Sequence, residues 1–393
     1  MVKLLAIPND ATAAYHRSDE RDFLSEFNPI CSNGERFFDE VRFLNWRDES
    51  DNEYCGVKSH AFLKDKSGAY EIMERLSSGE VSYNDASFEG IFRRNLGNVA
   101  GKIIEYKPDI VRTFNSYFAA ELGSIVSKEF GIPLVVSTHD PTRLTGAIRR
   151  ADRLVCESNE LRGTCIQEYG VDSDKISVIH NPIDMDFFRP YSEEEVKGNV
   201  SQQWERAAHK VLSVSRLVDG KNIEGLLEAL SAMKDDYPGL VHYHFGVGSS
   251  KKVMEIKALR DSLGLDGTSF FRGGVQKSEL PFYYSSADVF ALPTLWEGLS
   301  RSVREALASG TPAVTTNYGS TAEIVQDGKN GIGIDPTSSK EIERGLREIF
   351  WDTGLRHELT ENARKSVFRK YNAESSMRMH CENYQKALEE FVK

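Results

Sequence analysis

Short apolar runs alternate with amphipathic stretches through most of the chain, and this alternation constrains the fold more than any other feature. Lys3-Leu4-Leu5-Ala6-Ile7, Leu134-Val135-Val136-Ser137 and Val289-Phe290-Ala291-Leu292 are short and lack polar alternation, as expected of parallel strands buried on both faces. Between them, segments such as 88–106 and 118–130 repeat apolar residues at three- and four-residue intervals, the period of a helix with one buried stripe. Strands and helices in such alternation build βα units and parallel sheets. The pattern predicts first-half strands at 3–7, 109–113, 134–137, 153–156 and 175–179. Residues 9 to 85 lack a clear period apart from one strand near 41–44.

The character of the sequence changes after Asn181-Pro182-Ile183-Asp184. The segment FRPYSEEEVKGNVSQQWERAAHK is charged and poor in apolar residues, and a clean strand at 211–214 follows it. A boundary there gives one Rossmann-like domain over 1–190 and a second over 206–372. In the second half the pattern predicts helices at 222–233, 251–263, 280–286 and 303–309, and strands at 242–245, 269–272, 289–292 and 313–315. The chain has 393 residues, more than one core ordinarily serves, so two doubly wound sheets facing a central cleft are the expected architecture.

A formal net charge of −11 argues against a general nucleic-acid binder and leaves room for a local basic site for phosphates. Five cysteines, Cys31, Cys55, Cys156, Cys165 and Cys381, are widely spaced and form no CxxC pair. Isolated buried thiols in a reducing cytoplasm are expected. The first apolar run stops at Pro8-Asn9-Asp10, too soon for a signal peptide's core. No later run approaches the roughly 18 residues of a membrane span, so any membrane contact would be peripheral, at the inner face.

Charged and polar residues at predicted strand ends suggest the chemistry. Arg216 follows the strand at 211–214 and Lys221 stands at the mouth of the next helix. A planar fork and a point charge beside a helix N-terminus suit a diphosphate. After the strand at 289–292, Glu297 falls in the loop and Glu305 in what reads as the first turn of a helix. Carboxylates repel phosphate but bridge sugar or ribose hydroxyls, and the N–H groups of Leu299, Ser300 and Arg301 would face the anionic linker between them. A structural alternative exists for Glu305, because Ser302-x-x-Glu305 has the spacing of a capping box. His139, ending the run PLVVSTHD, is the candidate for contact with the reacting groups, against a structural histidine as the alternative. Asp184-Met185-Asp186, His242-Tyr243-His244 and Gly246-Val247-Gly248 resemble metal or phosphate motifs but lack the further ligands or the spacing.

Taken together, VLSVSRLVDGKNIEGLLEAL and the stretch from FRGGVQKSEL through LPTLWEGLSRSVREALASGTPAVTTNYGSTAEIVQDGKNGIGIDP resemble the family 4 retaining glycosyltransferases of GT-B fold, the glycosyl transferases group 1. Glu297 and Glu305 match that family's EX7E pattern. DIVRTF, GIPLVVSTHD, ADRLVCES and ISVIHNPIDMDFFRP extend the likeness into the first half. The resemblance implies that Arg216 and Lys221 hold a donor's diphosphate, Glu305 the ribose, and Glu297 and His139 the transferred sugar. It also implies a nucleotide-sugar donor linked to UDP or GDP, an acceptor hydroxyl on a glycan, lipid or small molecule, retention of configuration, and no metal or other cofactor. Two departures fall where acceptors vary: the 8–18 loop has no glycine, and Gly319-Ser320 stands where two glycines are common. The C-terminal segment from 375 is expected to pack back on the first domain. A nucleotide-sugar epimerase of the same fold, or a non-catalytic sugar-nucleotide-binding partner subunit, remain as alternatives.

Overall fold

The computed structural model describes residues 1–7, 29, 31, 33–45, 52–54, 57–61, 93, 95–114 and 118–391. The glycine-free 8–18 loop lies outside the described residues. The chain forms two compact units, Met1–Asn181 with Ala373–Lys393, and Pro182–Asn372.

The first unit is built on an eight-stranded sheet in the order β3-β4-β2-β1-β5-β6-β7-β8. Its strands are β1 (Lys3–Ile7), β2 (Glu40–Asn45), β3 (Asn52–Tyr54), β4 (Val57–Ala61), β5 (Ile110–Phe114), β6 (Leu134–Thr138), β7 (Arg153–Cys156) and β8 (Ile176–Val178). All neighbours are parallel except β3 and β4. Side chains two apart share a face. Leu5, Ile7, Val111, Val136 and Leu154 pack against helices α1 (Gly97–Tyr106), α2 (Phe118–Phe130) and α3 (Asn159–Gln167), while Leu4, Ala6, Ile110, Val135 and Val155 pack on the opposite face with Tyr384 and Ala387.

Those last two residues belong to the C-terminal helix, Ala373–Phe391. Its seat is polar as well as apolar. The buried Arg112 guanidinium donates to Tyr384 Oη, to Ser137 Oγ at 3.1 Å and to His380 Nδ1 at 3.3 Å. Burial and the Arg112 charge hold His380 well below its ordinary pKa, so the ring is neutral and can accept. Asn383 Oδ1 accepts from Ser177 Oγ at 2.9 Å and from Arg153 Nε at 3.4 Å. The expectation of isolated thiols fails here: Cys31 and Cys381 form a disulfide that ties the helix to the segment after residue 28. Sequence spacing could not reveal a pair 350 residues apart. Cys156 and Cys165 are free and buried, 3.9 Å apart at sulfur.

The second unit carries six parallel strands in the order β11-β10-β9-β12-β13-β14. They are β9 (His209–Val214), β10 (Leu240–Phe245), β11 (Ser269–Gly273), β12 (Val289–Leu292), β13 (Ala313–Thr316) and β14 (Gly331–Ile334). Its helices include α4 (Ile223–Met233), α5 (Ser250–Ser262), α6 (Leu280–Ser286), α7 (Arg301–Ala308), α8 (Ser339–Trp351) and α9 (Thr353–Phe368). The segment expected as a linker, 191–205, belongs to this unit's core. Val196, Val200 and Trp204 are buried beside Tyr283 and Tyr284, and the Trp204 indole donates to Ser286 Oγ at 2.9 Å. Its sparse apolar residues are all turned inward, which composition alone understates.

Tyr243 lies in the core while its neighbours His242 and His244 face the other side of β10. Both histidines are fully buried, yet every ring nitrogen has a partner. Ser213 Oγ lies 2.8 Å from His242 Nε2 and 2.8 Å from His244 Nδ1; Ser269 Oγ is 2.8 Å from His242 Nδ1, and Ser215 O is 3.1 Å from His244 Nε2. Burial lowers their pKa values to about 3 and about 4, so the relay is uncharged. It runs across the sheet and ends on the carbonyl next to Arg216.

Candidate active site

The order of the second sheet reverses between β9 and β12, which are direct neighbours with Val211 opposite Val289. In a doubly wound sheet the carboxyl ends of such a pair open onto the ligand crevice. The loops leaving β9 and β12 hold five of the eight residues expected to function, and helix α7, which follows the β12 loop, holds two more, Arg301 and Glu305.

Gly220 joins the two loops. Its carbonyl accepts from Leu295 N–H at 2.8 Å and from Thr294 Oγ1 at 2.9 Å. The indole of Trp296 lies so close that a Cβ at Gly220 would come within 2.5 Å of it. A second close pass fixes the β9 loop from the other side. A Cβ at Gly246 would fall 1.7 Å from Ser215 O, and Leu217 N–H donates to Val247 O at 2.9 Å. The 246–248 glycines thus admit a neighbouring backbone rather than a phosphate.

Lys221 and Glu297 meet in this framework, with Nζ 2.5 Å from Oε1 and both side chains largely buried. The ammonium has three donors, and Glu297 uses one. Ser320 Oγ donates to Glu297 O at 2.8 Å, fixing the backbone of the glutamate from the β13 side. Ser320 was legible only as a departure from a double glycine. Arg216 is exposed and forms no ion pair among the described residues.

Helix α7 begins at Arg301 with Ser300 as its N-cap, and no side chain caps it. The capping-box alternative therefore fails, because Ser302 lies inside the helix and Glu305 in its second turn. The N–H groups of Leu299 and Ser300 have no protein partner among the described residues. Glu305 is 7 % exposed and accepts from Tyr284 Oη at 3.0 Å. Burial raises its pKa above the usual carboxylate range, while Arg301, the Tyr284 hydrogen bond, Lys277 and Arg304 pull it back. Tyr284 stands in an amphipathic helix where its ring reads as ordinary core, so nothing in the sequence marks it as the partner of Glu305.

His139 belongs to the first unit and closes β6. Its Nδ1 is 3.2 Å from Glu157 Oε2 and its ring stacks on Phe114. A carboxylate only accepts, so Nδ1 carries the proton and Nε2 is left as the outward-acting atom. Nε2 is buried without a partner. Glu157, just past β7, is one residue that sequence reasoning missed; a charge at a strand end was its signal. Asp184 has a local duty, accepting from the N–H groups of Asp186 and Phe187 at 3.1 and 2.9 Å. Among the described residues no three His, Cys, Asp or Glu side chains group as a metal site, and no helix is long and apolar enough to cross a membrane.

Known proteins share both sequence and fold with this chain. The glycosyl transferases group 1 model matches residues 200–366 and the glycosyltransferase family 4 model residues 71–187. An uncharacterised glycosyltransferase of Methanocaldococcus jannaschii is 28 % identical over 60 % of each chain. A D-inositol 3-phosphate glycosyltransferase of Streptomyces scabiei is 25 % identical over 56 % of each. The chain thus spans somewhat under two thirds of these relatives' length. Among solved structures, Anabaena Alr3699/HepE in complex with UDP and glucose superposes with a TM-score of 0.74 at 18 % identity, covering 98 % of this chain and 100 % of that one. Sucrose-phosphate synthase of Thermosynechococcus elongatus gives 0.74 at 16 % identity, covering 99 % and 100 %.

Proposed function

Because the chain belongs to the glycosyl transferases group 1 family and has its GT-B fold, we propose that it moves a sugar from a nucleoside diphosphate donor to an acceptor hydroxyl, with retention of configuration and without a metal ion. The observation that carries this reading is the Lys221–Glu297 pair at the strand-order reversal of the second sheet. It puts a cation with two spare donors beside a carboxylate, flanked by the unpartnered N–H groups of Leu299 and Ser300.

In this mechanism Arg216, Lys221 and the start of α7 take the diphosphate. As the glycosidic bond lengthens, negative charge grows on the departing diphosphate and meets fixed positive groups that need no reorganisation. The sugar passes through an oxocarbenium-like state, and Glu297, held by Lys221 and Ser320, stabilises its positive charge. Glu305, steadied by Tyr284, accepts from the ribose hydroxyls. His139 Nε2, unprotonated in the tautomer that Glu157 fixes, accepts a hydrogen bond from a hydroxyl of the transferred sugar. Likeness to a relative solved with UDP and glucose favours a UDP-linked hexose among the donors to test first.

The test is incubation with UDP-, GDP- and ADP-linked hexoses in EDTA, with the released sugar followed by proton NMR. Release of one sugar in the anomeric configuration of its donor supports the reading. Cleavage that depends on added metal, or an inverted product, contradicts it.

A further inference from the structure

Arg304 is as deeply buried as any charged residue of the second unit, at 1 % exposure. Its guanidinium lies 5.1 Å from the ring centre of Tyr371. It donates from Nη2 to Leu299 O at 3.1 Å and from Nε to Ser300 O at 3.2 Å. A buried guanidinium is costly to desolvate unless its donors are used, and here two of them reach the carbonyls of consecutive residues in the loop that carries the spare N–H groups.

Peptide geometry makes this consequential. The chain has no cis peptide among the described residues. In a planar trans peptide the C=O and the following N–H point in opposite directions. The Leu299 carbonyl shares its plane with Ser300 N–H, and the Ser300 carbonyl with Arg301 N–H. Drawing both carbonyls onto one guanidinium turns both N–H groups away from it, outward from the start of α7. Ser300 O also accepts from Arg304 N–H at 3.4 Å, so the same residue secures this carbonyl by backbone and side chain.

We propose that Arg304 is a positioning residue: it clamps the Leu299 and Ser300 carbonyls so that the Ser300 N–H group is held ready for the donor's diphosphate. The inference rests on the proposed transfer from a nucleoside diphosphate sugar. Arg304 touches no substrate; it acts through the two peptides. A lysine could keep the charge but would reach the two carbonyls only from a single point, whereas methionine fills similar volume and removes every side-chain donor.

The experiment titrates UDP, GDP and ADP into the unmodified protein, R304M and R304K by calorimetry in EDTA, with thermal unfolding measured alongside. The expected result is that the wild-type chain binds one nucleoside diphosphate, that R304M binds it at least tenfold more weakly, and that R304K falls between them. The donor KM of R304M should rise more than kcat falls. Because R304M leaves the Leu299 and Ser300 carbonyls without their side-chain donors and is expected to lower the unfolding temperature, binding is compared well below the unfolding temperature of each variant, and weakened binding by folded R304M supports positioning. A second variant reads the loop directly: S300P deletes that N–H at a residue whose φ of −57° suits proline, and R304M on this background should lose much less than in the wild-type chain. Folded R304M that binds within twofold of wild type overturns the proposal while leaving the function intact. Should R304M fail to fold, R304K binding as tightly as wild type overturns it equally. A wild-type chain that binds none of the three overturns the function and this inference together.

Discussion

The two sheets settle their buried polar side chains in opposite ways. In the first unit, Arg112, Arg153 and Ser177 project from the strands and hydrogen-bond to His380, Asn383 and Tyr384 of the C-terminal helix. In the second, Ser213, His242, His244 and Ser269 satisfy one another within the sheet. The first solution recruits a distant segment to hydrogen-bond charged groups on the strands. The second keeps the buried strand positions uncharged and leaves ionised groups to the loops and to α7, with Lys221 and Glu297 meeting between two of the loops. The difference teaches that an unpartnered ring nitrogen separates supporting from reactive groups only together with its place on the strand: His242 and His244 have partners for all four ring nitrogens, His139 at the carboxyl end of β6 has a buried Nε2 without one, and His209 has an unpartnered Nδ1 at the opposite, starting end of β9.

The sharpest way to break this distinction is K221A, for which turnover should fall about 100-fold or more, as removal of a preorganised charge partner does. Steady-state rates on the matched nucleotide sugar measure it, and near-normal turnover of the folded variant would place the pair among supporting groups. For E305Q, the loss should lie in donor affinity, about 10- to 100-fold for a charged hydrogen bond worth about 1.5–3 kcal/mol, read by calorimetry. Stability should move the other way. The raised folded pKa means that protonated Glu305 is favoured by folding at low pH and that this contribution is lost as pH rises through the folded value. E305Q should therefore match wild type in unfolding temperature below about pH 4.5, the ordinary glutamate value, and gain on it toward neutral pH.

A smaller effect is expected at Glu157. E157Q keeps a neutral hydrogen bond and should lower kcat/KM about fivefold, on the order of 1 kcal/mol, read from steady-state rates; an unaltered kcat/KM would deny Glu157 a hold on His139. The smallest effect on activity belongs to S213A. It strips a partner from both buried histidines and should cost about 1–3 kcal/mol in urea unfolding at neutral pH, with donor affinity unchanged. The wild-type relay contributes fully above about pH 6.5 and loses that contribution as pH falls toward its folded values of about 4 and about 3.

The sequence made the second unit more readable than the first, for physical reasons. Strands buried on both faces are short apolar runs, and β12 at Val289–Leu292 and helix α6 at Leu280–Ser286 fall where their pattern places them. β14, Gly331–Ile334, escaped because two of its four residues are glycines; a Cβ at Gly331 would lie 2.3 Å from Ala313 O. In the candidate site, Arg216, Lys221, Glu297 and Glu305 could be read because charge at a strand end or in a short helix is conspicuous. Tyr284, Ser320 and Arg304 could not, since their roles depend on which backbone or carboxylate each happens to face. The disulfide of Cys31 and Cys381 was hidden for the same reason: only the folded path of the C-terminal helix brings the two sulfurs together.

The central claim is that the edge formed by the β9 and β12 loops receives a nucleoside diphosphate without a metal ion. Calorimetric titration of UDP, GDP and ADP into the wild-type chain and K221A, all in EDTA, tests it most directly. The account predicts saturable binding of one of the three to the wild-type protein and at least tenfold weaker binding to K221A. Absence of binding by all three, or equal affinity in K221A, would contradict it.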